Sequence, residues 1–417
     1  MKRLMLSTRL TGATAIATAV ATAVATAVAP AAAQGAPPQW PAFASQLTAY
    51  VAADSIVGAA ALVMKDGRVL AHHEVGFGDR ALGQRVDTNT IFHWGSMTKT
   101  LTAIAVMQMV EAGKLSLDAK VTSFIPELRK VHAFPGTSID DITVRMLLSH
   151  SSGFQNGTWP WGNGKPWEPF EPTTWDQLVA MMPYSETGFN PDAHYSYSNP
   201  GFVYLGRIVT ELTGDPWEAY TQKNFFTPLG LTRSYFNSTP RHLAAFRSNN
   251  YSYATDSSGT RVRANGRDFD PGITIPNGGW NAPLGDIARY VAFLTSATGP
   301  DVPMRGEPAP RGDAATRVLY ETILKRPTLE SMWVPRFPVS RDSTGEWMGL
   351  SFFVESYPGG KIVGHTGSQA GFRSFFYWNP ASKAAVILAV NTSNNVDGRS
   401  SGEGFRKLIA AAKAMLK

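Results

Sequence analysis

From Met348 onward the chain changes its period. Four short segments (349–355, 361–367, 372–379 and 384–391) follow one another, separated by Pro358-Gly359-Gly360, Gly371 and Pro380-Ala381-Ser382. Short runs rich in β-branched and aromatic residues and bounded by Gly and Pro read as consecutive strands. A second strand signal lies near the other end. Ala59–Met64 and Val69–Ala71 flank Asp66-Gly67, a hairpin turn signature, within a hairpin over 57–75. Between these ends the apolar spacing is mainly helical. Strands at both termini with helices between them predict an α+β fold: one antiparallel sheet built from both chain ends, flanked by helices, with a mainly helical region inserted. The sheet part is expected at about 45–95 and 285–417, and the helical part at about 96–284.

Helical spacing recurs over 41–53, 96–112, 175–182, 200–212, 217–226, 284–294 and 402–416, with Gly113 and Gly214 as stops. The helix from Ser96 carries apolar residues on more than one stripe, as a helix buried on most sides does. A helical turn capped by Thr143 and closed by Gly153 is expected within 142–154. His150 sits among the potential caps there and reads as structural. Residues 237–275 are polar and rich in Gly, Asn and Ser, and are expected to be loop. Trp159, Trp161, Trp167, Phe170 and Trp175 stand among glycines and prolines. Such a loop either covers a cleft and meets substrate or packs over the helical part; both readings stay open.

Residues 1–33 are set apart. Lys2, Arg3 and Arg9 precede an Ala/Thr/Val run, then Pro30 and three alanines, the pattern of a secretory signal peptide cut after Ala33. Residues 34–44 read as a linker behind it. A periplasmic or secreted protein is expected, with no stable membrane span once the signal is removed. The chain has 38 Lys and Arg against 32 Asp and Glu, and three of that excess lie in the signal segment. Nothing basic enough for nucleic acid remains. Zero cysteines exclude disulfides, thiol catalysis and thiolate metal sites.

The chemistry gathers at Phe92–Ala103. Ser96 and Lys99 stand three residues apart at the start of a helical run, so both side chains leave one face. A serine hydroxyl needs an adjacent base, and an amine one turn away serves if burial or neighbouring cations lower its pKa. The helix N-terminus adds free N–H groups where an oxyanion would form. Tyr197-Ser198-Asn199 precedes a helix start at Pro200. It offers a phenol to Ser96 and an amide to a substrate carbonyl or to Lys99. Tyr235-Phe236-Asn237 and Tyr377-Trp378-Asn379 share the pattern, but only Tyr197 stands at a loop-to-helix junction in the helical insert. Gly364-His365-Thr366-Gly367-Ser368 lies on a predicted strand. Gly367 would let a ligand approach the backbone closely. The N–H groups of Ser96 and Ser368 would make an oxyanion hole, with His365 supplying a hydrogen bond or positive charge beside it.

Taken in order, these elements resemble the serine hydrolases that include class C β-lactamases, D-alanyl-D-alanine carboxypeptidases and related esterases. The resemblance covers nearly all of 45–415, including Gly113–Asp118, Ile142–Gly153 and Pro228–Leu231. It implies a β-lactamase/transpeptidase-like fold and an acyl-enzyme on amide or ester substrates. Ser96 would be the nucleophile and Lys99 the base or its partner. Tyr197 would exchange the proton, and Asn199 would bind the substrate amide. His365, Thr366 and Gly367 would form the wall strand, with Ser368 giving the second oxyanion N–H. The substrate is a small molecule or peptide; no cofactor or metal is implied. Lysine is usual in class C β-lactamases where His365 stands here, which leaves peptidase and esterase open. A carboxylesterase and an inactive penicillin-binding-like protein are the alternatives.

Overall fold

The computed structural model describes residues 35–53, 55–155, 172–256, 259–296, 313–340, 345–393 and 400–417. The expected signal peptide and most of the tryptophan-rich loop lie outside the described residues. From Ala33 to Lys417 the chain clusters as one compact unit. Its helices are α1 Trp40–Ala53, α2 Thr98–Glu111, α3 Val144–Leu148, α4 Trp175–Met181, α5 Asn199–Thr213, α6 Trp217–Thr221, α7 Thr227–Leu229, α8 Ile275–Gly278, α9 Leu284–Thr295, α10 Asp313–Ile323, α11 Arg326–Ser331 and α12 Ser400–Leu416. Helix α1 thus begins inside the segment expected to be linker.

The strands are β1 Gly58–Lys65, β2 Arg68–Asp79, β3 Gln84–Arg85, β4 Ile91–His93, β5 Asn250–Asp256, β6 Gly259–Gly266, β7 Asn281–Pro283, β8 Phe337–Pro338, β9 Glu346–Met348, β10 Phe353–Tyr357, β11 Gly360–Gln369, β12 Phe372–Asn379, β13 Ala384–Val390 and β14 Thr392–Ser393. Nine of them form one antiparallel sheet in the order β3-β2-β1-β13-β12-β11-β10-β9-β8. The two chain ends meet where β1 pairs β13, with Leu62 opposite Ile387. The β1–β2 hairpin turns at Asp66 and Gly67, both at positive φ, as a tight two-residue hairpin turn requires.

Helices cover both faces of this sheet, so β1 is apolar at successive positions rather than alternate ones. Ala60, Leu62 and Met64 join the larger core with α2, α5 and α9. Ala59, Ala61 and Val63 face the smaller core made by α1 and α12. Helix α2 runs through the larger core with every residue from Thr98 to Met107 buried. Its threonines tolerate burial because their hydroxyls are partnered: Thr98 to the Gly95 carbonyl, Thr100 to Tyr290, Thr102 to the Pro276 carbonyl.

Two expectations are corrected. The segment 237–275 is not all loop: β5 and β6 pair as a hairpin, and β14 adds to β5 in parallel. Tyr251 and Tyr253 are buried two residues apart, an alternation too short to stand out among polar neighbours. The expected strand 349–355 is broken by a turn. Ser351 sits at φ +70°, and Met348 of β9 folds back opposite Phe353 of β10. The insert is therefore mainly helical but contributes β5, β6 and β7 to two small sheets, β14-β5-β6 and β4-β7.

Candidate active site

Ser96 lies in a single 3₁₀ turn, Gly95–Met97, that leads directly into α2. Gly95 adopts φ +54°, and a Cβ there would stand 3.0 Å from the Ser368 nitrogen. The turn is pinned on several sides. Trp94 N–H donates to the Trp280 carbonyl at 2.8 Å, the Trp94 indole N–H to the Ala282 carbonyl at 2.8 Å, and Ser374 Oγ to the Trp94 carbonyl at 2.9 Å. Ser96 itself keeps partial exposure amid buried neighbours.

Lys99 is fully buried one turn into α2. Its Nζ donates to Ser96 Oγ at 3.1 Å and to the Asn277 carbonyl at 2.8 Å. It also lies 4.9 Å from the centre of the Tyr197 ring and 5.7 Å from that of Phe202. These partners are a hydroxyl, a carbonyl and two ring faces, none with a formal negative charge. Burial therefore holds the amine well below its usual pKa, because desolvation penalises the charged form. A neutral amine beside a serine hydroxyl can accept its proton.

Tyr197 ends the loop ahead of α5. Ser198 caps that helix by accepting from Gly201 N–H at 3.0 Å, with Pro200 in the first turn. The Tyr197 phenol is hydrogen-bonded to Ser96, yet burial still raises its pKa, so it stays protonated at neutral pH. Asn199 is the first residue of α5 and is partly exposed. Its carbonyl receives a long 3.5 Å bond from the Asn277 amide. Tyr235 and Tyr377, the other matches to the pattern, belong to separate apolar clusters.

Strand β11 passes the Ser96 turn with Gly367 opposite Ser374 of β12. A Cβ on Gly367 would stand 2.0 Å from the Trp94 carbonyl oxygen. The close approach that Gly367 permits is thus to the chain's own turn, not to a ligand. Ser368 is exposed and Thr366 partly so. His365 is fully buried. Its Nδ1–H donates to the Thr366 carbonyl at 2.6 Å, and Phe353 lies against its ring at 5.1 Å. Burial pushes its pKa down to about 3. The positive charge allowed for at this position is therefore absent at neutral pH.

The structure thus brings Ser96, Lys99 and Tyr197 into direct contact and lays the 365–368 strand beside them. Sequence reasoning missed Asn277, whose carbonyl holds the lysine, and Phe202, which faces it. Asn277 lies in a four-residue helix with little periodicity to betray it. Phe202 was legible only as one apolar position of α5.

The beta-lactamase family model matches residues 43–411. Penicillin-binding protein 4 of Amycolatopsis lactamdurans is 35% identical over 186 residues, 43% of this chain and 44% of that protein. An esterase of Burkholderia gladioli is 31% identical over 185 residues, 42% and 46% of the two chains. The chain thus spans under half the length of these curated relatives. A beta-lactamase of Lysobacter lactamgenus is 25% identical across 85% of this chain and 87% of its own. Among solved structures, the octameric penicillin-binding protein homologue from Pyrococcus abyssi superposes with a TM-score of 0.69 at 25% identity, covering 90% of this chain and 77% of that one. With the fold, the pocket and a family match across most of its length, this chain belongs to the beta-lactamase family of serine hydrolases.

Proposed function

We propose that the protein is an exported hydrolase that cleaves amide or ester bonds through an acyl-enzyme on Ser96. The observation that carries this reading is the 3.1 Å contact between Lys99 Nζ and Ser96 Oγ, made by an amine whose pKa burial holds well below its usual value. In the proposed reaction Ser96 Oγ bonds to the substrate carbonyl carbon while its proton passes to Lys99, directly or through the Tyr197 phenol. The oxyanion is met by the N–H groups of Ser96 and Ser368. The leaving amine or alcohol departs with a proton from Tyr197. Water then adds to the acyl carbon by the same proton route in reverse, releasing the acid and restoring Ser96. Lys99 and Tyr197 would titrate as a coupled pair. Asn199 and the 365–367 wall would hold the acyl side. Export follows the reading of residues 1–33 as a signal, and places the enzyme in the periplasm or outside the cell.

Related proteins carry the names penicillin-binding protein, esterase and beta-lactamase, and two fold neighbours are titled D-stereospecific amidohydrolase and D-amino acid amidase. The uncharged His365 favours a D-amino-acid amide or an ester over an efficient β-lactam reaction, since the ring brings no positive charge to the 365–367 segment to meet a carboxylate. Turnover of p-nitrophenyl esters, D-Ala-D-Ala peptides, D-amino-acid amides and nitrocefin by the secreted protein tests this. Hydrolysis of the ester or amide members with little nitrocefin cleavage is expected. Turnover of the ester alone would assign a carboxylesterase, and no turnover of any would leave an inactive penicillin-binding-like protein.

A further inference from the structure

Helix α3 ends in a Schellman motif, in which Ser151 N–H donates to the Met146 carbonyl at 2.9 Å and His150 N–H to the Leu147 carbonyl at 3.2 Å. The left-handed position of that motif usually holds Gly. Here it holds His150, at φ +56° and fully buried. The residue does more than end a helix. Its carbonyl accepts from Ser196 N–H at 2.8 Å, and its ring Nδ1 accepts from Ser198 N–H at 3.0 Å. These amides are the ones immediately before and after Tyr197. The imidazole also stacks on the Tyr197 ring, with centroids 4.5 Å apart and planes 26° apart. Next door, Asp192 N–H donates to the Ser151 carbonyl at 2.7 Å, and Ser151 Oγ donates to Asp192 Oδ1 at 2.9 Å. The segment from 150 to 151 therefore grips the 192–198 loop at both ends.

We propose that His150 is the positioning residue for Tyr197, clamping its backbone on both sides and its ring face so that the phenol stays on Ser96. The inference rests on the hydrolase reading above. With Nδ1 accepting, the proton of the neutral ring sits on Nε2, which has no hydrogen-bond partner among the described residues. The hydrogen bond that holds the ring is thus the one that orients the tyrosine, and Tyr195 and Phe202 pack against the ring at 5.9 and 5.0 Å.

The test is the rate at which the full-length protein is acylated by p-nitrophenyl acetate, in the parent and in a Tyr197→Phe background. His150→Gly suits the left-handed backbone and removes the ring. His150→Phe keeps a buried stacked ring and removes the acceptor. His150→Asn tolerates positive φ and places Oδ1 where Nδ1 was. A displacement of about 1 Å at a reacting group costs on the order of 10²-fold. Losses of that size are expected for Gly and Phe, with KM little changed, and a loss under about 10-fold for Asn. In the Tyr197→Phe background the His150 effect should shrink to a few-fold, because residues acting through one group are not additive. A folded Gly or Phe variant at the parental rate overturns the proposal, as does a His150 effect undiminished without the phenol. Should the parent fail to react even with a fluorophosphonate, the hydrolase reading falls and takes this inference with it. A labelled parent with an indifferent His150 removes the inference alone.

Discussion

Adding one methyl group to Gly367 should separate the 365–368 strand from the Ser96 turn. In Gly367→Ala the new carbon would lie 2.0 Å from the Trp94 carbonyl oxygen and 2.5 Å from Ser374 Oγ. Carbon and oxygen rest comfortably at about 3.3 Å, so one partner must retreat by roughly 1 Å. The turn resists, because Trp94 is tied to Trp280, Ala282 and Ser374 by three hydrogen bonds. The strand resists as well, since β12 pairs it from Val363 through Gln369. Overpacking of this kind costs about 1–3 kcal/mol of stability. The same displacement would carry the Ser368 N–H away from the oxyanion position, and losing one such donor costs on the order of 10²–10³ in rate. The assay is the pre-steady-state burst of p-nitrophenol, with a melting curve on the same sample. Ser368→Ala is the control, since it keeps the N–H and should remain within a few-fold of the parent. A Gly367→Ala protein with the parental burst rate and melting temperature would refute the close packing of strand on turn.

Three further outcomes are expected. Ser96→Ala should abolish the burst, while Lys99→Ala and Tyr197→Phe should give folded protein slowed by at least about 10²-fold; parental turnover in any of them would remove its assigned role. Lys99→Met should be more stable than the parent at pH 7 by urea denaturation. The lysine pKa is depressed on folding, so parental stability climbs as pH rises toward the unfolded value and the advantage of methionine should vanish near pH 10; an equal or larger gap there would contradict it. His93 and His365 are buried with pKa values pushed down to about 4 and about 3. The unfolded chain takes up their protons first as pH falls below 6.5, so stability should drop between there and pH 3–4 by up to about 1.4 kcal/mol per pH unit for each. His365→Asn should flatten that slope by about one proton, and an unchanged slope would show the ring to be solvated.

The sheet was legible because its period and its turns are local properties. Asp66-Gly67 marks one hairpin, Gly371 the next, and the run through β1 is apolar on both faces. Helix α2 was legible for the same reason, with no polar stripe and a glycine at its end. The β5–β6 hairpin was not, since its strand character rests on two tyrosines, and Tyr253 is buried in the smaller core by residues well over a hundred positions away in sequence. In the pocket, Ser96, Lys99 and Tyr197 were recognisable from short patterns at plausible places. The role of Asn277 was not, because a backbone carbonyl carries no side-chain signature. His150 looked structural because its partners, the amides of 196 and 198, become neighbours only in the folded chain. The neutral state of His365 likewise follows from burial, which no local pattern reports.

Mass spectrometry of the intact protein after reaction with a fluorophosphonate, followed by peptide mapping, puts the nucleophile to direct test. One adduct per chain is expected, confined to the peptide bearing Ser96 and missing from Ser96→Ala. An unmodified chain, or a label on any other residue, would contradict the placement of the reacting hydroxyl at 96.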